Sequence, residues 1–135
     1  MKTNTKIWLA LTILLAGLSG WFFVRDAVKS VRIAFAEEQT EIFEQMRRKA
    51  DDALRKEPPD VRQAVSFLEY AYEYYPSGTK QPKGSRLDCV VERARNACVR
   101  EIIARLRVST GEDLGDVPDP WIKRYRSRDK DKSGD

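Results

Sequence analysis

Residues 7–24, IWLALTILLAGLSGWFFV, form an uncharged stretch that decides how the rest of the chain can be organised. A helix of this length rises about 27 Å, close to the roughly 30 Å hydrocarbon core of a bilayer. Trp8 lies near one end and Trp21 near the other, where indole rings favour the membrane–water interface. Because lipid offers no hydrogen-bond partner to an open backbone, the stretch must be helical. The sequence therefore predicts an N-terminal membrane anchor, residues 1–24.

Basic residues flank this stretch on both sides: Lys2 and Lys6 before it, Arg25, Lys29 and Arg32 after it. The numbers of basic residues on the two sides are nearly equal, so the positive-inside rule gives almost no preference for either orientation. A short leader before an uncleaved anchor favours a cytoplasmic N-terminus, so we expect a single-pass protein whose charged domain lies on the non-cytoplasmic side.

A cleaved signal peptide is the alternative, since Gly17-Leu18-Ser19-Gly20 places small residues near a plausible cut. However, the hydrophobicity continues through Trp21 to Val24, and no clean small-x-small site follows the apolar run. These observations favour an anchor that stays uncleaved.

Residues 25–57 have the pattern of an amphipathic helix that continues from the anchor. No Pro or Gly interrupts it between Arg25 and Lys56. We interpret the segment as a stalk. A homodimer through the stalk helix stays open as an alternative, although Glu38 and Lys49 interrupt a strict heptad seam. The apolar positions recur at steps of three or four residues, or sums of them: Val28, Val31, Phe35, Ile42, Met46 and Ala53.

Residues 58–121 predict an antiparallel helical hairpin. Pro58-Pro59-Asp60 ends the preceding helix and starts the next one, and the Gly- and Pro-containing stretch 76–84 separates two amphipathic patterns. Ser85 and Asp88 have the spacing of a capping box, with the carboxylate expected to reach back, and the helix they open should end near Gly111. The predicted apolar faces are Val61, Ala64, Val65, Leu68, Ala71, Tyr72 and Tyr75 on the first helix, and Leu87, Val91, Ala94, Cys98, Ile102 and Leu106 on the second.

The end of the chain is expected to be irregular. Turn-forming residues dominate Gly111–Trp121, GEDLGDVPDPW, which predicts a closing segment without a helix. Its apolar residues, Leu114 and Trp121, are expected to fold back onto the hairpin. Residues 122–135 are strongly charged and predict a disordered tail. Together these patterns predict an all-α chain.

A basic stripe is the candidate binding site. Arg86, Arg93, Arg100 and Arg107 repeat every seven residues, and such a step drifts only about 20° around a helix. The stripe could contact anionic headgroups or an acidic protein partner. The alternative is an ordinary solvated face, neutralised in part by nearby acidic residues.

The composition argues against an enzyme. The chain has no histidine, which removes the commonest general base. Cys89 and Cys98 are nine residues apart on one predicted helix, so they point to opposite faces and cannot form a disulfide or share a metal ion within the molecule. We expect Cys98 to be buried and Cys89 to be more exposed. No catalytic residue, cofactor or metal is predicted.

Net charge gives no support for nucleic-acid binding. The whole chain carries +4, and Lys2 and Lys6 precede the apolar stretch. The remainder is therefore at about +2, too near balance to predict a nucleic-acid partner.

Several segments resemble a family of small, uncharacterised membrane-anchored helical proteins typical of planctomycetes. They are YYPSGTKQ (74–81), GSRLD (84–88), VERAR (91–95) and REII (100–103), followed by TGEDLG (110–115) and PW (120–121). The resemblance covers residues 60–121, about half of the chain. It implies a coherent helical module and no particular chemistry.

From the sequence we expect a non-enzymatic, single-pass membrane-anchored interaction or scaffold protein, with the bilayer and a protein or headgroup as partners. Two alternatives stay open: a secreted or periplasmic accessory protein released by signal-peptide cleavage, and a catalytic accessory that uses Cys89 or carboxylates. No Gly-rich phosphate loop supports the catalytic alternative.

Alkaline carbonate extraction tests the anchor. The full-length protein should stay in the membrane pellet, because an apolar helix held in lipid is not released when peripheral contacts are broken. Recovery of a soluble form that begins near Gly20 or Trp21 would instead support the signal peptide.

Overall fold

The computed structural model describes residues 2–74 and 76–126, with side chains from Ile7 onward. Within these ranges the chain forms helices and no strands, which confirms the all-α prediction. The helices are α1 (Lys2–Leu54), α2 (Val61–Glu73), α3 (Arg86–Thr110) and α4 (Pro118–Arg126). Tyr75 and most of the predicted tail, residues 127–135, lie outside the described residues.

The chain divides into two compact units, of which the first is Met1–Phe35. From Lys2 onward this unit is a single helical stretch of α1, and its described side chains are all exposed. Its most apolar 18-residue window has a mean hydropathy of 2.1 and no buried residue. Among the described helices, α1 is thus long and apolar enough to cross a membrane.

The second unit begins at Ala36, so the last part of α1 belongs to it. Ala36, Phe43, Met46, Ala50 and Ala53 are all buried there. Residues 36–54 were predicted as part of a stalk, and they are instead the first helix of a bundle. The sequence correctly predicted an apolar stripe in this part of α1. The stripe packs against α2 and α3 of the same chain.

Contacts at the two ends of α2 give its direction relative to α1. The rings of Phe43 and Tyr74 meet edge to face with centroids 6.0 Å apart. At the other end, the backbone N–H of Asp60 donates to the carbonyl of Ala53 at 2.9 Å. Early residues of this α1 segment therefore meet the end of α2, and the two helices are antiparallel.

Two contacts between α1 and α3 give their relative direction, because later residues of α1 meet later residues of α3. The thiol of Cys98 donates to the carbonyl of Phe43 at 3.2 Å, and Arg105 pairs with Asp51 at 3.1 Å. The two helices are therefore parallel, which makes α2 and α3 antiparallel, as the predicted hairpin requires.

The ends of the hairpin helices follow the predicted capping residues. Asp60 accepts a hydrogen bond from the backbone of Gln63 at 3.0 Å and begins α2. The Ser85 hydroxyl accepts from the backbone of Asp88 at 3.2 Å and begins α3. Gly111 ends α3 with φ 69°, a left-handed conformation that favours glycine because it has no Cβ.

The predicted apolar faces of α2 and α3 are largely buried, with two differences. Val99 and Ile103 are also buried, because α3 packs against both α1 and α2. Tyr72 was expected in the core but is 40% exposed, since it lies in the last turn of α2, where fewer neighbours surround a side chain. The residues buried as predicted are Ala64, Val65, Leu68, Ala71, Val91, Cys98, Ile102 and Leu106.

The prediction that residues 111–121 lack a helix is wrong at their end, where α4 begins at Pro118. Proline is tolerated in a first helical turn, because the N–H groups there have no helical acceptor. Trp121 is fully buried, as expected of a residue that folds back onto the hairpin, and its indole N–H donates to the carbonyl of Gly115 at 3.0 Å.

The predicted disordered tail is also wrong for residues 122–126, which continue α4. The hydroxyl of Tyr125 donates to Glu112 at 3.0 Å, and Arg126 pairs with Glu69 of α2 at 2.8 Å. These contacts hold a nine-residue helix that its charged sequence alone would not predict.

We expect Phe43→Ala to lower the free energy of unfolding by about 3–5 kcal/mol, and Leu68→Ala by about 2–5 kcal/mol, because both side chains are fully buried. Phe23→Ala is the control, since Phe23 is 79% exposed. Unfolding of the full-length protein in detergent micelles measures all three, with Trp8→Phe and Trp21→Phe in every variant so that the fluorescence comes from Trp121. Equal, small effects of Phe43→Ala and Phe23→Ala would show that this part of α1 is a free stalk.

Candidate functional site

A shallow groove of about 150 Å³ lies between α1 and α3 in the second unit. Pockets for small molecules usually span about 300–1,000 Å³. Its charged lining residues are Glu44, Arg47 and Glu101. Within the described residues, no cluster of His, Cys, Asp or Glu is arranged to hold a metal ion.

The charged side chains that line this groove pair with one another. Arg47 hydrogen-bonds to Glu44 and pairs with Glu101 at 3.2 Å. The hydrogen bonds from Arg47, with help from Arg48, lower the pKa of Glu44 to about 2, and the pKa of Arg47 is raised in turn. A carboxylate that stays ionised in this way is a poor general acid or base near pH 7. The pair between Arg47 and Glu101 connects α1 to α3.

The two cysteines differ as the helical geometry predicted: Cys98 is buried and Cys89 is exposed. Burial raises the pKa of the Cys98 thiol to about 12, so it stays protonated and unreactive near neutral pH. Cys98 serves as a core residue, and accessible thiol chemistry in the described residues belongs to Cys89.

Asp88 organises the loop between α2 and α3. Its buried carboxylate accepts hydrogen bonds from the Ser77 hydroxyl at 2.6 Å, the Gly84 N–H at 2.8 Å and the Gly78 N–H at 3.1 Å. These three hydrogen bonds lower the pKa of Asp88, and the one from the Ser77 hydroxyl contributes most. The carboxylate therefore does not reach back to the Ser85 N–H, which donates instead to Pro82 at 2.9 Å.

Gly78 shows why this loop requires its particular residues. Its φ is 85°, and a Cβ added there would lie 3.2 Å from the Cβ of Lys83. The segments PSG and GSRLD therefore meet in one hydrogen-bonded network around Asp88. Their residues determine the loop geometry.

The segment after α3 is a second hydrogen-bonded network, centred on Arg107. Its guanidinium donates to Asp113 at 2.8 Å and to Asp116 at 2.7 Å. These bonds, with that to Asp116 the largest cause, raise the pKa of Arg107. Asp113 in turn accepts from the Gly115 N–H at 3.0 Å. The segments TGEDLG and PW, the second of which contains Trp121, thus fold back over the bundle.

Because Arg107 is paired with Asp113 and Asp116, it differs from the other three arginines of the predicted basic stripe. Arg107 is half-buried and paired, whereas Arg86, Arg93 and Arg100 are exposed. None of these three makes an ion pair with another described residue. The candidate site is therefore shorter than predicted and lies on the first two-thirds of α3.

Small and apolar residues separate these arginines. Val90 is 46% exposed and follows Arg86 by four positions; Ala97 and Ala104 follow Arg93 and Arg100 in the same way. A step of four residues keeps side chains on one side of a helix. We call this surface the α3 face: Arg86, Val90, Arg93, Ala97, Arg100 and Ala104. The alternation of arginines with small residues was visible in the sequence but was not used there.

The chain matches no protein-family model, no curated protein and no solved structure. The resemblance of residues 60–121 to planctomycete proteins therefore stays a prediction, and function is inferred from the geometry of the described residues.

Thiol labelling tests the face assignment of α3. In the native protein a polar maleimide should react much faster at Cys89 than at Cys98, because Cys98 is buried and its pKa is raised to about 12. Both should react in denaturant. Mass spectrometry of Cys89→Ser and Cys98→Ser variants resolves the two rates, and faster labelling of Cys98 would contradict the arrangement of the bundle.

Proposed function

We propose that this protein is a single-pass membrane-anchored binding protein that docks an acidic protein partner on the α3 face. The observation that carries the proposal is the exposure of Arg86, Arg93 and Arg100, without a described ion-pair partner, on one side of a helix. Surface arginines in this bundle are otherwise commonly paired, as Arg47, Arg55 and Arg105 are.

The chemistry of the α3 face suits a helix that carries carboxylates. Successive arginines are about 10 Å apart along α3, so an acidic helix lying beside it could meet each of them in turn. A guanidinium binds a carboxylate through two parallel hydrogen bonds, which gives orientation as well as charge attraction. The small side chains of Ala97 and Ala104 would let the partner's backbone approach closely.

Anchoring is proposed from α1, which is long and apolar enough to cross a membrane and has no buried residue in its apolar window. The proposed side for the second unit is the non-cytoplasmic one. Release after signal-peptide cleavage is the second candidate, and the same apolar stretch supports it. In both cases the α3 face would be available to a partner.

A homodimer through α1 would be restricted to part of that helix. Phe43, Met46 and Ala50 pack within their own bundle, so they cannot also form a seam with a second copy. Val28, Val31 and Phe35 are 46%, 53% and 38% exposed. A dimer would therefore use residues up to Phe35, and the α3 face would stay open in it.

The proposal is non-enzymatic. Catalysis by carboxylates has little support, because Glu44 and Asp88 are held by hydrogen bonds that keep them ionised. Cys89 is exposed on α3, and no histidine exists anywhere in the chain to activate it.

Site-specific photo-crosslinking tests the α3 face. A benzophenone amino acid at position 97 of the full-length protein should crosslink to a protein in native membranes, and the same group at the exposed position 66 should not. Combined with Arg86→Glu, Arg93→Glu and Arg100→Glu, the adduct at position 97 should fall at least about tenfold, since three attractions become repulsions.

The charge-matched control changes three exposed lysines to glutamate: Lys49, Lys83 and Lys123. It should leave the adduct in place, and equal loss in both variants would show a general charge effect. Adducts to phospholipid alone would assign the α3 face to headgroups. Absence of any adduct at position 97 would contradict a docking role.

A further inference from the structure

We propose that a second cationic surface, on α1 directly after the apolar stretch, binds the headgroup of an anionic glycerophospholipid. We call it the juxtamembrane face: Trp21, Arg25, Val28, Lys29 and Arg32. These residues, with Val24, line an open groove of about 340 Å³ on the first unit. This inference rests on the membrane anchoring proposed above and adds a specific lipid class to it.

The spacing of the basic residues places them together. Arg25, Lys29 and Arg32 stand at i, i+4 and i+7, which puts their side chains within about 60° around the helix. Trp21 precedes Arg25 by four residues and is 68% exposed. One side of the helix therefore presents an indole ring followed by three cations.

The depth of these groups suits the headgroup layer. That layer is about 5–8 Å thick on each side of the hydrocarbon core, and the helix rises about 6 Å between Arg25 and Lys29. With Val24 at the end of the apolar stretch, Arg25 and Lys29 reach the phosphate level. Trp21 lies at the boundary that indole rings favour.

The charge of this surface favours an anionic lipid over a zwitterionic one. Asp26 is the acidic residue within positions 21–36 of the sequence, and it pairs with Lys29 at 3.7 Å. Both side chains are more than half exposed, and such a pair is weak and readily exchanged for another partner. Even with that pair counted, the three basic residues leave an excess positive charge, which attracts lipids that carry net negative charge.

Trp21 itself provides the measurement. Brominated acyl chains quench a tryptophan that they touch, so the relative quenching by brominated phosphatidylglycerol and phosphatidylcholine reports which lipid occupies the shell around Trp21. The full-length protein would carry Trp8→Phe to remove the second tryptophan of the apolar stretch. Trp121 is fully buried in the bundle and gives a constant background.

In mixed vesicles we expect phosphatidylglycerol to be preferred at Trp21 by about threefold or more. Arg25→Gln, Lys29→Gln and Arg32→Gln together should reduce the preference to about onefold. The charge-matched control, Arg86→Gln, Arg93→Gln and Arg100→Gln, should leave it unchanged. Arg25→Lys with Arg32→Lys should retain most of the preference, because the charge is kept.

The outcomes separate this inference from the anchoring on which it rests. If neither brominated lipid quenches Trp21, the helix is not in the bilayer and the anchor fails. If both lipids quench equally in the starting protein, the anchor holds and the headgroup site is wrong. Loss of the preference in the α3 control would assign the lipid contact to the α3 face and overturn the proposal for the juxtamembrane face.

Discussion

The hydrogen-bonded backbone of α1 is the constraint on which the rest of the structure depends. It runs from Lys2 to Leu54 with no glycine after Gly20 and no proline. In lipid, such a backbone must satisfy its own polar groups, and helix is the form that does so within one segment. The same uninterrupted helix then supplies Phe43 and Ala50 to the core of the bundle. One helix thus contains both the apolar stretch and residues of the bundle core.

The bundle is held by small side chains in its interior and by polar networks at its ends. Alanines at positions 50, 53, 64 and 71 are essentially inaccessible, which lets the helices approach closely. Two networks connect the elements outside the core. Asp88 holds the loop between α2 and α3, and Arg107 holds the segment that carries Trp121 over the bundle. The sequence segments that looked most distinctive therefore serve the fold.

How far the sequence predicts this fold depends on whether local or tertiary causes dominate. Helix ends at Asp60, Ser85 and Gly111 follow local capping chemistry, and they were predicted correctly. Burial of Cys98 followed from helical periodicity alone. α4 was missed because Pro118 and Pro120 look like helix breakers, whereas tertiary contacts of Trp121 and Tyr125 hold that helix. Likewise, periodicity showed that α1 has an apolar stripe but could not say that its partner is the same chain.

The candidate site divides in a similar way. The seven-residue repeat correctly put Arg86, Arg93 and Arg100 on one side of α3. It could not show that Arg107 pairs with Asp113 and Asp116, because those carboxylates approach Arg107 only when the segment after α3 folds back.

The boundary at Ala36 has a consequence for shedding from a membrane. Residues 25–35 of α1 are exposed and contribute no side chain to the buried core, whereas Ala36 and the residues after it do. A protease that cuts after Arg25, Lys29 or Arg32 would free a fragment that keeps every core helix. A cut between Ala36 and Leu54 would remove part of the first core helix and leave apolar surface on α2 and α3 uncovered. Release of an intact bundle and destruction of the bundle are therefore separated by a few residues of one helix.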